Sequence, residues 1–148
     1  MSAQTPTLTT ANSSISLVVA GLLTTPFTLQ GYAADDVTSM EPVESAEVII
    51  GVDGKMSYGW KPTIKKQSYF LQADSPSIAN FDTWWAAQEA AQEVYTASGT
   101  ILFPSVGVSW VCTNGVLMGY TVIPDAKTYL QPRRFIIHWN TVLPAPSP

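Results

Sequence analysis

The sequence predicts a mainly β (α+β) domain: an antiparallel β-sandwich or partly closed barrel with one flanking α-helix. Three observations carry that reading. One stretch has unmistakable helical spacing, an Asn-Gly pair sits between two β-rich runs, and most other segments alternate apolar and polar residues.

The helix is centred on Phe81, Trp84, Trp85, Gln88, Ala91 and Tyr95, which recur at the i, i+3, i+4, i+7 spacing of one face. Ala86, Ala87, Ala90 and Ala91 add intrinsic propensity. Two starts fit: Ser75 as N-cap with Pro76 at the first helical position, or Asn80 as cap with Asp82 in the first turn. Gly99 is placed to end the helix, because glycine tolerates the left-handed cap conformation. Phe81, Trp84, Trp85 and Tyr95 are the expected packing residues, and a sheet face is the surface they ask for.

Asn114-Gly115 is expected to close a two-residue hairpin, since a type I′ turn needs positive φ at both central positions. That register puts Val106, Val108, Trp110, Cys112, Leu117 and Ile123 on one face, with Val111, Met118, Tyr120 and Val122 on the other. Both faces are apolar, which points to burial on both sides.

Upstream, residues 1–14 read as a flexible arm rich in Thr, Ser and Ala, and residues 15–20 and 27–32 as strands on either side of the Pro26 break. Residues 33–44 form an acidic, turn-rich loop. Residues 47–51 and 55–60 form a hairpin around Val52-Asp53-Gly54, and residues 63–72 alternate as a strand does. Residues 124–132 make a second polar connection. Residues 133–142 form the last strand, with Phe135, Ile137 and Trp139 on one face and Arg134, Ile136, His138 and Asn140 on the other. The proline-rich tail, 143–148, is expected to form neither helix nor ladder and to end a single domain spanning 15–142.

Composition narrows the function. Only 12% of residues are charged against 46% hydrophobic, where about 25% charged is usual. Such a chain suits a subunit that hides much of its surface in an assembly. A net charge of −4 argues against tight nucleic-acid binding. Asp35, Asp36, Glu41, Glu44, Glu47 and Asp53 all precede the first basic residue, Lys55. Lys65, Lys66, Arg133 and Arg134 are therefore candidates for salt bridges from one subunit to the acidic part of another. The longest apolar run, 15–23, falls short of the ~20 residues that span a membrane, and no basic stretch before it marks a signal peptide.

Catalytic and metal sites find no support. One cysteine, Cys112, excludes an intramolecular disulfide and a Cys-rich metal site. His138 is the single histidine, mid-strand between aromatics, and reads as structural. The carboxylates at 35–47 do not follow the Asp-x-Asp-x-Asp-Gly spacing of a calcium loop, and no phosphate-binding glycine loop occurs. No cofactor is expected.

The order of elements, the chain length and the strand–Ser-Pro-Ser–helix junction within LQADSPSIANFDTWW resemble the tail tube proteins of contractile-tailed bacteriophages, whose fold is shared with pyocin and type VI secretion tubes. The resemblance covers about residues 15–142. It implies a virion protein, assembled in the host cytoplasm, that forms hexameric rings stacked into a hollow tube inside a sheath. Its partners would be other copies of itself and the tail sheath, tape-measure and baseplate proteins, with DNA passing through unbound. An acidic lumen would repel the phosphate backbone. Joining strands between subunits would remove exposed sheet edges. Asp35, Asp36, Glu41, Glu44, Asp53 and Gly54 mark the expected assembly loops. The alternative is a small-ligand or carbohydrate-binding β-domain using Trp60, Trp84, Trp85, Trp110 and Trp139 as stacking platforms.

Overall fold

A computed structural model describes residues 13–30, 38–104 and 106–146. The elements in chain order are β1 (Ser14–Val19), β2 (Leu23–Thr28), β3 (Thr38–Met40), β4 (Ala46–Ile50), β5 (Met56–Trp60), β6 (Lys65–Leu71), α1 (Ile78–Ala91), β7 (Ala97–Phe103), β8 (Val108–Tyr120) and β9 (Arg133–Pro146). Seven strands form one antiparallel sheet in the order β2-β1-β7-β8-β9-β6-β3, while β4 and β5 form a separate two-stranded sheet. Among the described residues the large sheet has two free edges, β2 and β3, and is not a closed barrel. It is nonetheless strongly curled. β3 and β7 stand four places apart, roughly 19 Å in a flat sheet at ~4.8 Å per strand, yet residues from both line one cavity.

The concave face holds the core. Alternation along each strand delivers Ile15, Leu17 and Val19 from β1, Tyr69 and Leu71 from β6, and Phe135, Ile137 and Trp139 from β9, all fully buried. α1 covers one end of this face. Phe81 stacks on Phe135 with ring centroids 4.3 Å apart and meets Phe27 edge-on at 6.2 Å, and Trp84 lies beside it. Serines dock the helix entrance. The Gln30 N–H donates to Ser77 Oγ at 2.8 Å, Ser77 Oγ donates to the Thr28 carbonyl, and Ser75 Oγ donates to the Gln30 carbonyl. The Ser-Pro-Ser junction thus ties the helix to the end of β2. The N-cap is Ser77, two residues after one expected cap (Ser75) and three before the other (Asn80), and its side chain serves the end of β2 rather than capping the helix.

Several expectations need correction. Asn114-Gly115 does not close a hairpin: β8 runs straight through it for 13 residues. Asn114 does take a left-handed conformation, φ 56°. It does so inside a bulge, where Thr113 and Asn114 both face outward opposite the single residue Ser98 of β7. β9 stays in register with β8 across the bulge, from Cys112↔Val142 to Leu117↔Ile137. Pairing on both flanks overrides the local turn preference. Gly115 is needed for a different reason, since a Cβ there would lie 2.4 Å from two ring atoms of Trp139.

Gly99 is a strand residue rather than a helix cap. A Cβ at 99 would lie 2.6 Å from Leu17 and 3.4 Å from Trp139, so both glycines make room for one indole. The helix instead ends at Ala91 with Gln92 left-handed. Tyr95 is beyond it, its carbonyl accepting from Trp84 Nε1 at 3.1 Å. The second strand begins four residues earlier than expected, after a turn at Gly21 (φ 77°), and Pro26 is tolerated because β2 is an edge strand. Residues 38–40 of the expected acidic loop are β3. The tail also departs from expectation: residues 143–146 extend β9 and pair with β8, as in Ser109↔Ala145. Here β9 has passed the end of β6 and is paired on one side only. Pro144 and Pro146, being alternate residues, leave donors missing on one side of the strand. The proposed arm lies outside the described residues as far as residue 12.

Candidate assembly interface

The expected hairpin around Val52-Asp53-Gly54 is present, and it is the most unusual surface of the molecule. Its turn is built locally. Gly51 N–H donates to the Lys55 carbonyl at 2.8 Å, Gly54 N–H donates to the Gly51 carbonyl at 2.9 Å, and Lys55 N–H donates to Asp53 Oδ1 at 3.1 Å. Gly54, at φ 81°, supplies the left-handed residue the turn requires. At the base, Lys61 N–H donates to the Ser45 carbonyl.

Register decides what the hairpin presents. Ala46 pairs with Trp60, Val48 with Tyr58 and Ile50 with Met56, while Glu47 faces Gly59 and Ile49 faces Ser57. Opposed residues share a face. One face is therefore Ala46, Val48, Ile50, Met56, Tyr58 and Trp60, whose only polar side-chain groups are the Tyr58 hydroxyl and the Trp60 indole N–H. The other carries Glu47, Ile49 and Ser57. Every residue from 46 to 60 is exposed, with Tyr58 77% and Trp60 76% accessible. Val52 stands at the tip, fully exposed. A two-stranded hairpin alone is marginal in water, and a contiguous apolar face of this kind marks an interaction site.

Charges gather at the hairpin base. Glu41, Glu44, Lys61 and Lys66 line an open cleft of about 450 Å³ together with Val43 and Ile64. Lys66 lies across from His138 on the convex face. Burial, followed by the Lys66 cation, lowers the His138 pKa below its ordinary value against the opposing pull of Glu41. His138 and Cys112 stand on opposite faces of the sheet. Burial pushes the Cys112 thiol up to about 11.

The other sequence-chosen residues divide clearly. Asp35 and Asp36 lie outside the described residues. Glu41 and Glu44 are at the hairpin base and Asp53 and Gly54 in its turn. Phe81 and Trp84 are fully buried, whereas Trp85 and Tyr95 are half-buried. Trp85 stacks on Tyr120 at 5.3 Å. Arg133 is a correction to the intersubunit reading, for it is buried and paired within the chain. Its guanidinium meets Asp82 at 2.8 Å and donates to the carbonyls of Thr121 and Val122. Burial pulls the Asp82 pKa up, but hydrogen bonds from Arg133 and Trp85 and the guanidinium charge outweigh it, leaving the carboxyl below its ordinary value. Lys65 donates to the carbonyls of Thr63 and Asn140, and Arg134 donates to Ser68 Oγ above the Phe70 ring. The uniformly apolar face of the hairpin was not singled out from sequence, although the alternation of 46–50 and 56–60 contained it.

Solved structures share the fold over nearly the whole chain. One is a chain of the anti-feeding prophage baseplate, with TM-score 0.57 and 9% identity over 97% of this chain and 98% of that one. Another belongs to the tube-terminating cap of the anti-feeding prophage, with TM-score 0.60 and 10% identity over 99% and 95%. A third comes from the sheath–tube complex of an extracellular contractile injection system, with TM-score 0.51 and 12% identity over 89% and 88%. At such identities the likeness is one of fold. Comparison with curated proteins finds no match. The family model described as "Tail fiber protein gp32" matches residues 7–143, so the chain belongs to that family of tail proteins.

Proposed function

We propose that this tail protein is a structural subunit of the inner tail tube, working by self-assembly into hexameric rings that stack into a conduit for DNA. The observation that carries the reading is the hairpin β4–β5, whose apolar face has no cover among the described residues. A subunit that meets many copies of itself needs such a surface, whereas a monomer is harmed by it. The low charge content and the two free sheet edges support the same reading. The fold neighbours in baseplate, cap and sheath–tube assemblies are consistent with it. Of the platforms named for the carbohydrate-binding alternative, Trp84 and Trp139 are lost to the core and Trp85 and Trp110 are half-buried, which leaves Trp60 alone fully presented, on the apolar hairpin face.

Negative-stain electron microscopy across a concentration series tests the proposal. The native chain is expected to give rings or tubes of uniform diameter. The double variant Tyr58→Ser/Trp60→Ser is expected to stay folded, within ~0.5 kcal/mol of the native chain as exposed positions usually are, and to give neither. Assembly that persists in the double variant removes the hairpin from the proposal.

A further inference from the structure

The core is closed at one end and open at the other. At the helix end, Phe27, Phe81, Trp84 and Phe135 fill the space. Along β9 the inward residues then run through Ile137 and Trp139 to Val142, where filling stops. A cavity of about 310 Å³ remains, lined by Thr38, Ser39 and Met40 of β3 with Gln67, Ile101, Phe103, Trp110 and Val142. Its outer wall is the three-residue edge strand β3. Phe103 and Trp110 meet edge-on at 5.6 Å and are only half-buried.

The polar groups at the floor already have partners. Gln67 Oε1 accepts from Tyr69 Oη at 2.7 Å and from Trp139 Nε1 at 3.1 Å, and Gln67 Nε2 donates to Thr38 Oγ1 at 2.9 Å. Among the described residues, no charged side chain lines the space. An occupant would therefore be apolar and would need no hydrogen bond from this floor. Interface hot spots are apolar or aromatic anchors seated in pockets of this kind.

We propose that this seam is the socket for the hairpin of a second copy of the chain, with Ile50 and Met56 of the apolar face entering it. The inference rests on the self-assembly reading and names the partner surface. Three features favour this occupant. The hairpin's apolar face is uncharged, as are the described residues of the socket, and Glu47 projects from the opposite face. The exposed parts of Tyr58 and Trp60 bring about 300 Å², a large share of the ~800 Å² that each partner contributes to a stable interface. Among the described residues the hairpin strands pair only with each other and residues 46–60 are all exposed, so none of them covers the apolar face. Because donor and acceptor are different patches, the contact is heterologous and propagates into a ring or a filament.

Disulfide trapping between two single-substituted chains tests the pairing. One chain carries Ile50→Cys and the other Met40→Cys, mixed at high concentration under mild oxidation. Native Cys112 is fully buried with a raised pKa and contributes only background. A mixed dimer at least tenfold above an Ile50→Cys/Thr24→Cys control is expected on non-reducing gels. Mixed dimer at the control level overturns the socket assignment. Met40→Trp, which fills the seam from the inward face that Met40 shares with Gln67, gives an independent readout. It is expected to abolish the rings while the thermal transition is retained. Rings that survive Met40→Trp but vanish in Tyr58→Ser/Trp60→Ser place the hairpin on another surface, refuting the socket and sparing the proposed function. Rings that survive both variants refute the socket and remove the hairpin from the assembly, whereas a native chain that forms no rings refutes the proposed function itself.

Discussion

Replacing Gly115 by alanine tests the feature on which the centre of the sheet depends. The new methyl would sit 2.4 Å from Cε3 and Cζ3 of Trp139 and 3.0 Å from Cγ2 of Ile137. Carbon atoms prefer separations of about 3.5–4.0 Å, so the indole would have to retreat by more than ~1 Å. It has little room to do so. Trp139 is fully buried, its Nε1 is held by Gln67 Oε1, and Gly99 and Leu17 close off the adjoining strands. Overpacking of this kind costs about 1–3 kcal/mol, and the immobile ring puts this case in the upper half. At about 2–4 °C per kcal/mol for a chain of this size, the melting temperature should fall by roughly 4–12 °C.

Urea unfolding of a double-mutant cycle separates this account from a strained turn. Trp139→Phe alone should destabilise, through lost packing and the lost bond to Gln67. In Gly115→Ala/Trp139→Phe the smaller ring admits the methyl, so the combined cost should fall short of the sum by about 1–2 kcal/mol, within the range seen for contacting residues. If residues 114–115 formed a hairpin turn, alanine would cost through backbone strain and a smaller ring would give no relief. Additivity within ~0.5 kcal/mol would refute the packing argument.

Two further substitutions probe the attachment of α1. Arg133→Met removes the ion pair with Asp82 and leaves the Thr121 and Val122 carbonyls without their donor, at about 2–3 kcal/mol by denaturant unfolding, the modest end because Asp82 is partly exposed. Since the folded-state pKa of Asp82 is depressed below 3.8, its contribution is complete at neutral pH and is lost as pH falls through that folded value; the gap between native and variant stability should therefore be constant from pH 7 to about 5 and narrow in stronger acid. Ser77→Ala breaks the bonds to Gln30 N–H and the Thr28 carbonyl and should cost about 1 kcal/mol in the same assay, leaving assembly unchanged.

The residues that could be read correctly are those whose neighbours in sequence decide their fate. The alternation of β6 and β9, the Phe81–Trp84 pair and the Val52-Asp53-Gly54 turn are of this kind. Asn114-Gly115 shows where that logic ends. A left-handed asparagine suits a tight turn and a bulge equally well, and only the pairing of β8 with β7 on one side and β9 on the other selects the bulge. Gly99 was likewise assigned to a local task, ending a helix, when its constraint is the close approach of Leu17 and Trp139 from other strands. Arg133 looked available because its partner, Asp82, is 51 residues away. The candidate interface divides along the same line. Both hairpin strands show their alternation in sequence, but that their apolar sets coincide follows only from the register Ile50↔Met56. The open seam had no sequence signal at all, because it exists only where the curl of the sheet brings Met40 towards Phe103 and Trp110. A chain selected to stand alone would bring polar residues to one of these two apolar surfaces. Keeping both in every copy makes physical sense when each copy covers the other's.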